Sequence, residues 1–198
     1  MYADTKTKKI LNIGAGFLPL VASDFEVKEV INYDLLQYQK DTGTITDKTY
    51  EEAKQYFRTV LRFKELIARY PEVQYFTKRH EVDSQYSDHT VDLVISISPY
   101  GFTLVDSWIN EKLKPEGYIV AIGHAGNRYM SEERLISADL RDRYNANNTP
   151  EPWIQNIIDK VCKSYPSNTS GLERDTPLGN VMIYQKTISI RRTKSSMI

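Results

Sequence analysis

Short apolar runs rich in β-branched residues alternate with segments of helical period along this chain, and that alternation restricts the fold more than any other feature. Strand readings fall at Lys8 to Gly16, Glu29 to Leu36, within Val73 to Asp83, at Val91 to Ser98, at Gly117 to His124 and at Asn180 to Ile190. Helical readings fall between them, at Phe17 to Ser23, Tyr50 to Tyr70, Leu104 to Leu113, Ser131 to Tyr144 and Thr149 to Tyr165, the last with Thr149 as N-cap and Pro150 in the first turn. Parallel strands need crossover helices, and crossovers are right-handed, so the order predicts an α/β fold. The expected form is a three-layer α/β/α sandwich whose mainly parallel, doubly wound sheet has six or seven strands. The 198 residues fit a single domain, 1–198, with 1–7 and 191–198 expected as flexible ends.

Charge narrows the partners. Lys and Arg number 26 and Asp and Glu 26, so no summed field draws the chain to nucleic acid or to an anionic membrane. No apolar run is long enough to span a bilayer, and the polar start is unlike a signal peptide, so a cytoplasmic protein without membrane contact is expected. One cysteine, Cys162, and three scattered histidines give no metal-ligand cluster, so no metal is expected.

On a doubly wound sheet, ligands sit outside the carboxyl ends of the strands, so the strand exits carry the candidates. The first exit is Gly14-Ala15-Gly16, where glycines permit a sharp turn and a close approach of backbone N–H groups to an anionic ligand. Asp34 stands 20 residues after Gly14, the offset at which an acid meets a ribose diol. Together they point to an adenosine-type cofactor, against the plainer reading of a turn and a solvated cap. Phe17 and Pro19 oppose NAD, because a dinucleotide loop wants a third small residue where Pro19 stands. No Lys-Ser or Lys-Thr follows the glycines as a Walker loop requires.

With these residues the sequence resembles the class I S-adenosylmethionine-dependent methyltransferases from about Lys8 to His124. ILNIGAG is similar to the family's first motif, with Asn12 in place of the usual acid and Leu18 in place of the third glycine. The resemblance implies that Asn12, Gly14, Ala15 and Gly16 face the methionine part of S-adenosylmethionine. VINYDL is similar to the second motif, which implies that Asp34 holds the ribose hydroxyls and Leu35 lies near the adenine. HEVDSQYSDHTVD resembles the segment after the adenine contact, leaving Glu81 or Asp83 to meet the adenine amino group. LKPEGYIVAIG resembles the late motif that turns into the fifth strand.

Ser98-Pro99-Tyr100-Gly101 resembles a shortened form of the motif with which amino-group methyltransferases hold the acceptor nitrogen; a plain strand-ending turn is the alternative. By that resemblance Ser98 serves cofactor and acceptor, and Tyr100 is the acceptor-side aromatic. His124, at the fifth exit, is the candidate base, against a histidine that caps the strand end. Asn127 and Arg128 are candidates for a substrate carboxylate or phosphate, or for capping the next helix. The expected activity is methyl transfer to an acceptor not readable from the sequence, a small molecule being favoured over nucleic acid or protein. The alternative is a diverged methyltransferase-like binding or effector module, similar around its INIGAG-like segment LNIGAG and its segment SPYGF to domains of bacterial polymorphic toxins, that binds the cofactor with little or no catalysis.

Overall fold

The computed structural model describes residues 5–15, 20–33, 74–76, 78–97, 99, 103–164 and 178–187. Seven strands form one sheet: β1 (Lys9–Ile13), β2 (Glu29–Tyr33), β3 (Gln74–Phe76), β4 (Val91–Ile97), β5 (Leu113–Gly123), β6 (Tyr144–Ala146) and β7 (Asn180–Lys186). Their order is β3-β2-β1-β4-β5-β7-β6. The first five are parallel, while β7 runs antiparallel to β5 and to β6. The chain therefore winds one way from β1 to β3, crosses back to β4, and winds the other way. The switch point lies between β1 and β4, where a sheet of this kind opens its ligand crevice. The expected mainly parallel, doubly wound α/β sheet is the one observed.

Five α-helices are described: α1 (Ala22–Phe25), α2 (Arg79–Gln85), α3 (Ser107–Lys112), α4 (Glu132–Leu135) and α5 (Pro152–Ser164). Side chains of the central strands alternate between two apolar clusters, as period-two geometry requires. Leu11, Ile31, Val94 and Ile119 join Val82 of α2, Ile109 of α3 and Leu135 of α4. Ile10, Val30, Leu93 and Val120 join Phe25 of α1 and Ile154, Ile157 and Val161 of α5. Burial on both faces explains why these strands read as continuous apolar runs rather than as alternating ones. Leu11, Leu93 and Ile119 have no exposed surface, and each such side chain is worth about 1.5–3 kcal/mol of burial.

Several boundaries differ from the sequence reading. Of the helix expected over Phe17 to Ser23, residues 17–19 lie outside the described residues, and α1 begins at Ala22 after an extended Val21. The one expected from Leu104 begins at Ser107, because the Asp106 carboxylate accepts from the Ile109 N–H at 3.0 Å and fixes the N-terminus there. Ser131 to Tyr144 is not one helix: Val105 N donates to Leu135 O and Ser137 N to Val105 O, which draws Ile136 into a bridge. A 3-10 turn over Ala138–Arg143 and strand β6 follow. Its apolar spacing was real, since Leu135, Ile136, Leu140 and Tyr144 are all buried, but β-branched and aromatic residues there pair with strands instead. The last helix starts at Pro152, not at Thr149, whose N–H bonds Asn147 Oδ1 at 2.9 Å. The turn at Lys114 to Gly117 sits inside β5 as a register shift, with Glu116 at φ 61° and pairing passing from Val91 with Leu113 to Leu93 with Tyr118. The helix expected at Tyr50 to Tyr70 lies outside the described residues.

Candidate active site

The β1 and β2 exits lie side by side, with Asn12 opposite Asn32 and Ile13 opposite Tyr33. Gly14 then turns at φ 70°, a left-handed conformation that glycine adopts without steric cost. The turn folds onto β2: Gly14 N and Ala15 N both donate to Tyr33 O, at 2.8 and 3.1 Å. Tyr33 immediately precedes Asp34. The peptide that leads into the expected ribose ligand is thus held by the glycine turn itself.

A buried amide pair closes the other end of this loop. Asn32 Oδ1 accepts from Leu20 N at 2.9 Å, and Asn32 Nδ2 donates to Leu20 O at 3.1 Å. Asn12 Nδ2 donates to the same Asn32 oxygen at 3.0 Å. Asn12 is 1% exposed and Asn32 0%, so each amide needs such a partner. The segment from Gly14 to Leu20 therefore starts and finishes on β2. Asn12 does this work through its amide, the group that distinguishes it from the acid of the family's motif. Sequence reading missed Asn32; its signal is a second asparagine in register with Asn12 in an otherwise apolar strand.

Gly16, Asp34, Leu35, Ser98 and Tyr100, together with Leu18, lie outside the described residues. Glu81 and Asp83 lie on α2, and both have structural partners. Glu81 Oε2 accepts from Lys78 N at 3.1 Å, capping α2. Asp83 Oδ1 accepts from Trp108 Nε1 at 2.8 Å and pairs with Lys112 Nζ at 2.8 Å, joining α2 to α3. Partial burial acts to raise the Asp83 carboxyl, but the bonds from Lys112 and Trp108 outweigh it and hold it below its ordinary value. Arg79 lies over the Trp108 ring at 5.0 Å and pairs with Asp106, and Tyr33 packs against Trp108 with centroids 5.3 Å apart. The end of β2 is therefore braced by both helices.

At the other side of the switch point, the β5 exit turns over itself. Gly126 N donates to His124 Nδ1 at 3.2 Å, which leaves the proton of the neutral ring on Nε2. Asn127 Nδ2 donates to Pro99 O at 3.1 Å, and Asn127 Oδ1 accepts from Tyr129 N at 2.9 Å. One side chain thus ties the β5 exit to the β4 exit, and the loop packs so close that a Cβ on Gly123 would lie 3.2 Å from Asn127 Nδ2. Below the β4 exit, Ser96 is wholly buried and its hydroxyl has no hydrogen-bond partner among the described residues. Cys162 packs against the α5 cluster, and burial pushes its thiol up, as expected for a core residue. Among the described residues no group of His, Cys, Asp and Glu has the arrangement of a metal site, and no helix is long and apolar enough to cross a membrane.

No protein-family model matches the chain, and no curated protein matches it. Solved structures similar to it include the geranyl diphosphate C-methyltransferase of Streptomyces coelicolor A3(2), at 14% identity and TM-score 0.44, over 92% of this chain and 73% of that one. An S-adenosylmethionine-dependent methyltransferase from Mesorhizobium loti is similar at 13% identity and TM-score 0.41, over 93% of each chain. A 30S ribosomal A1408 methyltransferase from an uncultured bacterium is similar at 13% identity and TM-score 0.41, over 93% of this chain and 89% of that one. Its sheet order, its parallel β1 to β5 with β7 antiparallel, and the glycine turn beside its switch point make this a doubly wound, Rossmann-like α/β fold.

Proposed function

We propose that the chain binds S-adenosylmethionine and transfers its methyl group to an acceptor. One observation carries this reading: Gly14 and Ala15 hold the carbonyl of Tyr33, so the glycine turn and the residue before Asp34 meet at one edge, beside the switch point. A cofactor with a carboxylate at its methionine end and a ribose diol matches a glycine turn next to an acidic residue. The residues present fit it: Gly14, Ala15 and Gly16 for the methionine part, Asp34 for the ribose hydroxyls and Leu35 for the adenine. Glu81 and Asp83, the expected adenine contacts, also bond Lys78, Trp108 and Lys112.

When bound, the sulfonium supplies an electrophilic methyl group with a neutral leaving group. What the chain adds is position, since an in-line nucleophile near 3–3.5 Å accounts for most of the rate expected of such a site. The Asn12–Asn32–Leu20 bonds fix Leu20 against β2 in advance of binding, which lowers the ordering cost at that point. Asn127 holds the Pro99 carbonyl and so sets the distance between the two exits where Ser98 and Tyr100 would meet the acceptor. His124, with Nε2 protonated, serves there as a hydrogen-bond donor.

Calorimetric titration with S-adenosylmethionine and S-adenosylhomocysteine tests the reading. Saturable binding is expected, weakened about tenfold or more by D34N, because a hydrogen bond to a charged group is worth about 1.5–3 kcal/mol. No heat from folded protein at millimolar ligand contradicts it. Cofactor binding without turnover on any acceptor pool would favour the binding-module alternative.

A further inference from the structure

Ser96, near the carboxyl end of β4, has no exposed surface, yet its hydroxyl has no hydrogen-bond partner among the described residues. A buried hydroxyl left unsatisfied destabilises a fold, so this one calls for a partner from outside the chain. Ser96 falls on the sheet face of Val94 and stands in register with Ala121 of β5, and both belong to the apolar cluster that packs on α2, α3 and α4. On the other side, Asn12 pairs with Ile95, which sets Ile13 beside Ser96. An ordered water there needs two or more polar partners, and the side chains of Ile13, Val94 and Ala121 offer none. A ligand with an apolar body and one polar atom suits both the hydroxyl and its neighbours.

The same face continues to Gly123, two residues beyond Ala121. A Cβ on Gly123 would lie 3.1 Å from Met130 Cγ and 3.3 Å from Met130 Sδ, so the bare backbone makes room for that side chain. Met130 is only partly buried and packs against the cluster that contains Val94 and Ala121. An unbranched thioether, with three rotatable bonds, is a cover that moves aside readily. Asn127 Nδ2, 3.2 Å from the same Cβ position, bonds Pro99 O, so the place that Met130 occupies lies between the β5 and β4 exits.

We infer that Ser96 is the buried anchor of the acceptor: its hydroxyl bonds the one polar atom of a small, otherwise apolar molecule that takes the place of Met130 between the β4 and β5 exits. This rests on the methyltransferase reading for the molecule's role as acceptor, though not for its binding. The cofactor suits that hydroxyl less well, because its carboxylate, ribose and adenine each require several polar contacts, and Ser96 stands among apolar side chains.

The test titrates phenol and toluene, alike in shape but with a hydroxyl in one where the other has a methyl, into the full chain labelled with carbon-13 at its methionine methyls. Binding is read from the Met130 resonance, assigned with M130L, with and without S-adenosylhomocysteine. The ratio of phenol to toluene affinity is expected to fall about fivefold from wild type to S96A; comparing the two ratios cancels the different hydration of the probes. The urea midpoint of S96A without ligand is expected to rise, because the unpaired hydroxyl is gone. The same ratio in both proteins, no binding of either probe to wild type, or an S96A midpoint no higher than that of wild type overturns the inference. S-adenosylhomocysteine bound while neither probe binds sinks this inference alone; probes bound through Ser96 by a chain that takes no S-adenosylhomocysteine sink the methyl-transfer reading alone.

Discussion

At the scale of single residues, Asn12 is the most informative position. Asn32 cannot turn its amide over without losing both bonds to Leu20, so its oxygen faces Asn12 and requires a donor there. N12D, which would restore the acid of the family's motif, is therefore expected to destabilise the protein and not to improve cofactor affinity. A buried carboxylate against an amide oxygen costs about 3 kcal/mol or more at pH 7, seen as a lower urea midpoint. Once protonated, the acid can donate to Asn32, so its folded-state pKa must rise above the unfolded value of about 4. The folded state then holds the proton longer, and the deficit must shrink as pH falls toward that value. A deficit independent of pH would show that Asn12 is not a required donor.

At the scale of elements, α2 and α3 are joined through Asp83, Lys112, Asp88 and Trp108. Lys112 is 5% exposed while Asp83 is 44% exposed, so the pair is screened on the acid's side and its net worth is about 1 kcal/mol or less. Asp83 has a lowered pKa, so its contribution is complete above the unfolded value and is lost as pH falls through the folded one. D83N should therefore cost less at pH 3 than at pH 7, by urea unfolding. The same helices show what was not legible about Asp83. The family resemblance marked it as an adenine contact, and only the tertiary packing of α2 on α3 brings Trp108 and Lys112 to it as well. Likewise Ser131 to Tyr144 has a true helical period of apolar residues, yet the backbone of Val105 and the edge of β7 compete for it and win. Local pattern reports burial well; it does not report which partner covers the residue.

At the scale of the whole molecule, the legible features were those that a parallel sheet imposes everywhere along it. Runs buried on both faces, glycines at the β1 exit and a proline-tyrosine stop after β4 are set by strand geometry, so β1, β2, β4 and β5 stand within a few residues of where the sequence places them. What was not legible depends on contacts across the sheet: the Asn32 bond to Leu20, the Asn127 tie to Pro99 and the ring shared by Arg128 and Arg134. These polar contacts link residues whose side chains meet only after the chain has doubled back. They lie at the two sides of the switch point, the first at the glycine turn and the others at the β5 exit, and the proposed function reads these as a cofactor side and an acceptor side.

The most direct measurement is a crystal structure with S-adenosylhomocysteine soaked in. The account predicts the homocysteine part over Gly14 and the ribose hydroxyls on the Asp34 carboxylate, with the sulfur facing the gap between the β4 exit and the Asn127 loop. A nucleoside bound elsewhere, or an Asp34 carboxylate directed away from it, would contradict the account.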